Sequence, residues 1–229
     1  RGGVEQADTL AASHMSALRT RSYSFGLDHV RRDDHLSIRS SYGIDLSLSA
    51  ERDYLARVST DGPEAPRTLG DPPARSAYYS DGQQHFVDRS PDEDGGVIEF
   101  EPPNGYMGTW EYWAYIFAFG GMLGSTPERY FQHVFEAIPT RLVDVREDGD
   151  GGLYRLESTE RTLRGSPQSF TGRDVRDLDM SAVVNERGLV RALTLEYRST
   201  VDGTPSRVSR RIKYDNVGET DVEPPDWVP

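Results

Sequence analysis

At 229 residues, with 38 acidic against 26 basic side chains and a formal charge of −12, the chain can bury a substantial core and is too acidic to suit a nucleic-acid backbone as partner. It has no cysteine, which excludes disulfides, thiol catalysis and thiolate metal sites. Its single lysine is Lys213, and every other base is arginine. Such a balance points to a protein adapted to high salt, where screening relieves self-repulsion; the alternative is an ordinary acidic protein.

Residues 5–20 read as a helix, with Leu10, His14, Ala17 and Leu18 in one stripe at helical spacing. His14 is expected to pack against the core. Tyr23, Phe25 and Leu27 then alternate with polar neighbours, as in a half-buried strand. The clearest period-two run follows at 36–48. Leu36, Ile38, Tyr42, Ile44, Leu46 and Leu48 fall on one face, with Ser37, Arg39, Ser41, Asp45 and Ser47 on the other. A strand of that length, about 44 Å at roughly 3.4 Å per residue, belongs in a strongly curved sheet. Tyr54, Ala56 and Val58 continue the meander.

The Pro/Gly-rich stretch 61–75 reads as a loop. A hairpin is expected next, with strands 76–80 and 83–89 around Asp81-Gly82. Residues 90–105 are acidic and read as a surface excursion. Asp92, Glu93 and Asp94 do not have the spacing of a calcium loop. Ile98 and Phe100 alternate with Glu99 and Glu101, which places both acids on a wet strand face.

Residues 106–124 differ from everything around them. They hold two of the three Trp residues and one charge, Glu111. The segment reads as a helix over about 105–119, apolar on all sides and broken at Gly120-Gly121. Such a helix is plain core, the wall of a site for a greasy ligand, or a contact for a partner or membrane surface. A second helical or mixed stretch is expected at Pro127–Ala137.

Strands return at 140–147 and 152–159. Asp174–Val184 follows, with Leu178, Met180, Ala182 and Val184 on one face. Leu189, Leu193, Leu195 and Tyr197 share a face of the next strand, and Val208, Ile212 and Tyr214 share one in the last. Asp202-Gly203 between these two is a tight-turn signal. A polar tail closes on Pro224-Pro225-Asp226-Trp227.

One-face alternation throughout implies a single sheet with one wet face, and the apolar face needs a cover. With so few helices, the expected fold is α+β. One strongly curved antiparallel sheet, an open half-barrel of about 9–11 strands, wraps around one or two helices. Residues 1–229 then form one domain: helix 5–20, strands 21–60 and 76–89, a helical insertion at 105–137, and strands 140–214. Apolar space between helix and sheet would be walled by Trp110, Trp113, Ile116, Phe117, Tyr42, Leu46, Leu193 and Leu195.

Nothing assembles into a catalytic or metal site. The five His are scattered without metal-ligand spacing, no G-x-S-x-G occurs, and Gly120–Gly124 lacks the Lys-Ser/Thr of a phosphate loop. The expectation is a non-enzymatic protein with no cofactor and no metal.

The order of elements and the ending carry a resemblance. Gly188-Leu189-Val190, Tyr197, Tyr214-Asp215-Asn216, Gly218 and the Pro225-Asp226-Trp227 tail, with His14-Met15 and Leu18 before Tyr23, resemble lipoprotein carriers of the LolA/LppX type. More closely, they are similar to acidic cell-surface lipoproteins of halophilic archaea. The resemblance implies a surface-anchored domain binding a lipid or isoprenoid-like molecule. The alternative is a ligand-free interaction or sensor module at the cell surface, recognised through the 61–75 and 90–105 loops. No apolar run in the sequence reaches membrane-spanning length, so attachment is expected only through a lipid anchor upstream of Arg1. The oligomeric state is left open.

Overall fold

In a computed structural model, the described residues are 9–10, 12–14, 16, 18, 21–33, 39–51, 53–61, 75–88, 96–99, 127–148, 151–163, 173–201 and 203–229. Eleven strands occur among them: β1 (Tyr23–Asp33), β2 (Arg39–Leu48), β3 (Tyr54–Asp61), β4 (Arg75–Ser80), β5 (His85–Asp88), β6 (Val97–Glu99), β7 (Thr140–Asp148), β8 (Gly151–Ser158), β9 (Arg173–Asn185), β10 (Val190–Val201) and β11 (Thr204–Asp215). They make one antiparallel sheet in the order β6-β5-β4-β3-β2-β1-β11-β10-β9-β8-β7. The first and last strands of the chain are therefore neighbours at its centre. The edges, β6 and β7, do not pair with each other, so the sheet is the expected open half-barrel.

Alternation decides which face is inside. Along β1, Tyr23, Phe25 and Leu27 are buried while Asp28 and Arg32 are exposed; along β11, Val208, Ile212 and Tyr214 are buried while Arg207, Arg211 and Lys213 are exposed. Directly opposed residues share a face, so the apolar rows continue across strands. Ile44, Leu27, Ile212, Leu193 and Ala182 form one such row through β2, β1, β11, β10 and β9.

Among the described residues, two helices meet this inner face. The described positions between 9 and 18 (α1) are helical, and Leu10, His14 and Leu18 turn inward at i, i+4, i+8. Helix α2 (Pro127–Ala137) presents Phe131, Val134 and Phe135, and Ile138 just beyond it is also buried. Pro139 follows and cannot extend the helix. The His14 ring lies 4.4 Å from Phe131 and 4.8 Å from Tyr214, tying α1 and α2 to β11.

Two turns explain the local geometry. The β10–β11 connection is the expected two-residue turn, with Gly203 at φ +81°. The β4–β5 turn is longer than expected. β5 begins at His85 rather than Gln83, because Asp81 Oδ1 accepts hydrogen bonds from the Gln83 and Gln84 amides (2.9 and 2.8 Å) and draws both residues into the turn. Within the acidic excursion, residues 97–99 add a short edge strand whose side chains are exposed on both faces, so the expected wet and dry sides do not develop there. The run expected at 36–48 is described from Arg39 onward. The segment 106–124 lies outside the described residues.

Candidate functional site on the inner face of the sheet

Of the eight residues expected to line a ligand space, four are described, and all four are on the inner face and buried. Tyr42 and Leu46 stand on β2, opposite His29 and Phe25 of β1. Leu193 and Leu195 stand on β10, opposite Ile212 and Arg210 of β11. The two pairs thus flank the central β1–β11 pair. Trp110, Trp113, Ile116 and Phe117 lie outside the described residues.

The inner face is not uniform along the strands. On β1 the inward side chains read Tyr23, Phe25, Leu27 and then His29, Arg31, Asp33, all buried. On β11 they read Tyr214, Ile212 and then Arg210, Val208, Ser206. One end of the central strands is apolar and the other carries a buried polar patch.

Arg31 Nε donates to Asp33 Oδ1 at 2.8 Å and Nη2 to Oδ2 at 3.2 Å, a two-pronged pair between residues on the same strand face. Ser206 of β11 joins it: its Oγ donates to Asp33 Oδ1 at 2.6 Å and accepts from Arg31 Nε at 3.2 Å. Arg210 Nε donates to His29 Nδ1 at 3.4 Å, and the His29 ring stacks on Tyr42 with centroids 4.6 Å apart. Ser199, opposite Ser206, is buried with no hydrogen-bond partner for its hydroxyl among the described residues.

Two histidines are held neutral. Burial, reinforced by the nearby Arg210 and Arg31 charges, pushes His29 down to about 3. Burial alone pushes His14 to about 3, and its Nδ1 accepts the Val190 amide at 3.1 Å. An imidazole with so low a pKa is a poor general base near neutral pH. Among the described residues, no group of three or more His, Asp or Glu side chains is placed to hold a metal ion.

The sequence reading missed the polar patch. The signal was the unbroken parity of β1, in which His29, Arg31 and Asp33 continue the series Tyr23, Phe25, Leu27. Charged residues on that parity were not counted as inward.

The cover is also uneven. Val145 of β7 stands opposite Tyr154 of β8, which stands opposite Val184 of β9; Leu142 stands opposite Leu156, which stands opposite Ala182. Val184 and Ala182 are buried on the inner face, so Val145, Tyr154 and Leu142 face inward too. Yet Leu142 is 54% exposed, Val145 55% and Tyr154 36%. Among the described residues, the apolar inner face thus runs uncovered onto the β7–β8 flank.

No protein-family model and no curated protein matches the chain. Among solved structures it is similar to LprF from Mycobacterium bovis, at 9% identity over 96% of this chain and 97% of that one, with a TM-score of 0.41. It is also similar to the Mycobacterium tuberculosis lipoprotein LppX, at 7% identity over 96% and 98% of the two chains, with a TM-score of 0.44. A LolA superfamily protein from Nitrosomonas europaea aligns at 10% identity over 97% and 99%, with a TM-score of 0.31. Scores this low carry no argument about function.

Proposed function

We propose that the chain is a single non-enzymatic domain that holds an apolar, lipid- or isoprenoid-like molecule against the inner face of its sheet. In this proposal it works at the outer face of a cell membrane, attached through a lipid anchor, in the manner of the acidic surface lipoproteins its ending resembles. The supporting observation is the β7–β8 flank, where Leu142, Val145 and Tyr154 extend the buried apolar face into the open. An apolar surface continuous with a core and uncovered on one side is where a greasy ligand is best accommodated. Tyr42, Leu46, Leu193 and Leu195 form the floor, and Trp110, Trp113, Ile116 and Phe117 are assigned to the opposite wall.

The test is native mass spectrometry of the purified protein, paired with solvent extraction. Co-purifying apolar molecules that leave on extraction and rebind afterwards support the proposal. Protein that carries nothing, and takes up no long-chain fluorescent lipid, overturns it.

A second function is favoured by β7 itself. It is a nine-residue edge strand with exposed Leu142, Val143 and Val145, and such an edge is a template for strand addition by a partner. A protein that binds no lipid, together with protection of β7 amides from hydrogen exchange by a partner, would establish this interaction module instead.

A further inference from the structure

The outer face carries a pattern that the inner-face proposal does not use. Five arginines occupy one row across five adjacent strands. Arg39 of β2 is registered against Arg32 of β1, Arg32 against Arg207 of β11, Arg207 against Arg198 of β10, and Arg198 against Arg176 of β9. Arg32, Arg207 and Arg176 are exposed and Arg198 is 44% exposed, while the alternate residues Arg31, Asp33, Ser206 and Val208 are buried. The row therefore lies outside; Arg39 is placed in it by register alone.

Like charges directly opposite one another destabilise a sheet. Here four such pairs follow in succession, in a chain with more acids than bases. The neighbouring row is of the other sign: Val30 and Ser209 are followed by Glu196 and Asp179. One row further, Asp28 faces Arg211. Among the described residues, Asp177 reaches the arginine row. The register shift between Glu196 and Arg198 brings Asp177 Oδ2 to 3.6 Å from Arg198 Nε. Arg32, Arg176 and Arg207 form no ion pair among the described residues. A groove of about 400 Å³ runs beside them, lined by Arg32, Arg207 and Arg211 with Asp28 and Glu196.

We propose that this row is a docking site for an extended acidic peptide segment of a partner protein. Its shape selects the partner. The stripe is one residue wide and about 19 Å long, from four strand spacings of roughly 4.8 Å. A broad anionic plane or a nucleic-acid duplex laid on it would also meet Glu196 and Asp179. A single extended chain of about six residues, at roughly 3.4 Å each, covers the arginines and avoids those acids. Guanidinium forks pair with carboxylates in two-pronged fashion, and the flanking acids penalise any register in which the peptide slips off the row. The chain's net charge does not prevent this, because salt screens exposed charges beyond about 8 Å at physiological ionic strength. The site is independent of whether the inner face holds a ligand.

The experiment titrates the whole protein with a fluorescent octaglutamate peptide at low salt, reading anisotropy. Saturable binding is expected, weakening as salt is added. The variant R32Q/R198Q/R207Q should weaken it on the order of tenfold, because each exposed pair contributes modestly. The variant R57Q/R141Q/R187Q removes the same number of charges from exposed positions outside the row and should leave binding unchanged. Absence of binding, equal loss in both variants, or row-dependent binding to phosphatidylglycerol vesicles or a DNA duplex without peptide binding each overturns the proposal. Circular dichroism of both variants checks that the fold is kept.

Discussion

The inner faces of the central strands and of the β7–β8 flank are continuous through the register, with a bulge between Leu142 and Asp144 bringing Leu142 and Val145 to one side, and they end in opposite environments. At the centre, Phe25, Leu27, Ile212 and Leu193 are almost wholly removed from water, with α1 and α2 packed around Tyr214. On the flank, Leu142 and Val145 point the same way and stay more than half exposed. Strand period determines which side chains share a face; it does not determine whether that face is covered. The centre is thus closed to water, and the flank is open to it.

The largest effects are expected where the helices grip the centre. Phe131→Ala removes a fully buried ring that contacts His14 and stands over Tyr214, and should cost about 3–5 kcal/mol in urea unfolding. A loss under about 1 kcal/mol would show that the centre is no better packed than the flank. Next comes Asp33→Asn. It leaves the Arg31 guanidinium buried without its carboxylate, and breaking such a pair costs roughly 3 kcal/mol or more. Asp33→Asn with Arg31→Met should recover part of that loss; a double variant no better than the single one would mean that the Arg31–Asp33 coupling is not what holds the patch.

Most of the central sheet was legible because long runs of its residues alternate strictly. Tyr42 through Leu48, Leu178 through Val184 and Leu193 through Tyr197 alternate as read, and Gly203 stands between β10 and β11 where a turn was expected. The polar patch was not legible from hydrophobicity, because Arg31 and Asp33 become compatible with burial only through each other and Ser206, a residue 173 positions from Asp33. The 81–84 turn was misjudged because a dipeptide signal takes no account of the Asp81 side chain capturing two further amides. The exposed flank was not legible: Val145 and Leu193 both sit in apolar strands, and among the described helices α1 and α2 pack at the centre.

Gly188 offers a mid-sized test of how closely α1 is seated. It turns β9 into β10 at φ +80°, and a Cβ there would lie 2.5 Å from Ser13 Cβ. Gly188→Ala should cost about 2–3 kcal/mol through strain and displacement of α1. Gly203→Ala, also at positive φ but with nothing within 4 Å, should cost less, about 1 kcal/mol. Equal losses would mean that the helix contact adds nothing.

Acid also separates the two regions. His14 and His29 lie in the centre with pKa near 3, against 6.5 for a free imidazole. Because the unfolded chain takes up these protons first, stability is intact above about pH 6.5 and falls as pH drops toward 3. Each histidine contributes a slope of up to about 1.4 kcal/mol per pH unit. His14→Gln should flatten the dependence of urea stability between pH 6 and 5 by about that amount; an unchanged slope would mean that His14 is not buried neutral.

The smallest stability effect should come from the flank, and there it is most informative. Leu142→Ser with Val145→Ser removes two exposed apolar side chains, so unfolding should shift by no more than about 0.5 kcal/mol per site. If the flank is where an apolar ligand rests, the same variant should retain several-fold less co-purifying lipid in native mass spectrometry. Loss of stability like that of Phe131→Ala would make the flank part of the core after all. Unchanged stability with unchanged lipid would leave the exposed β7 edge as a site for a protein strand, because strand addition reads backbone amides and tolerates both serines.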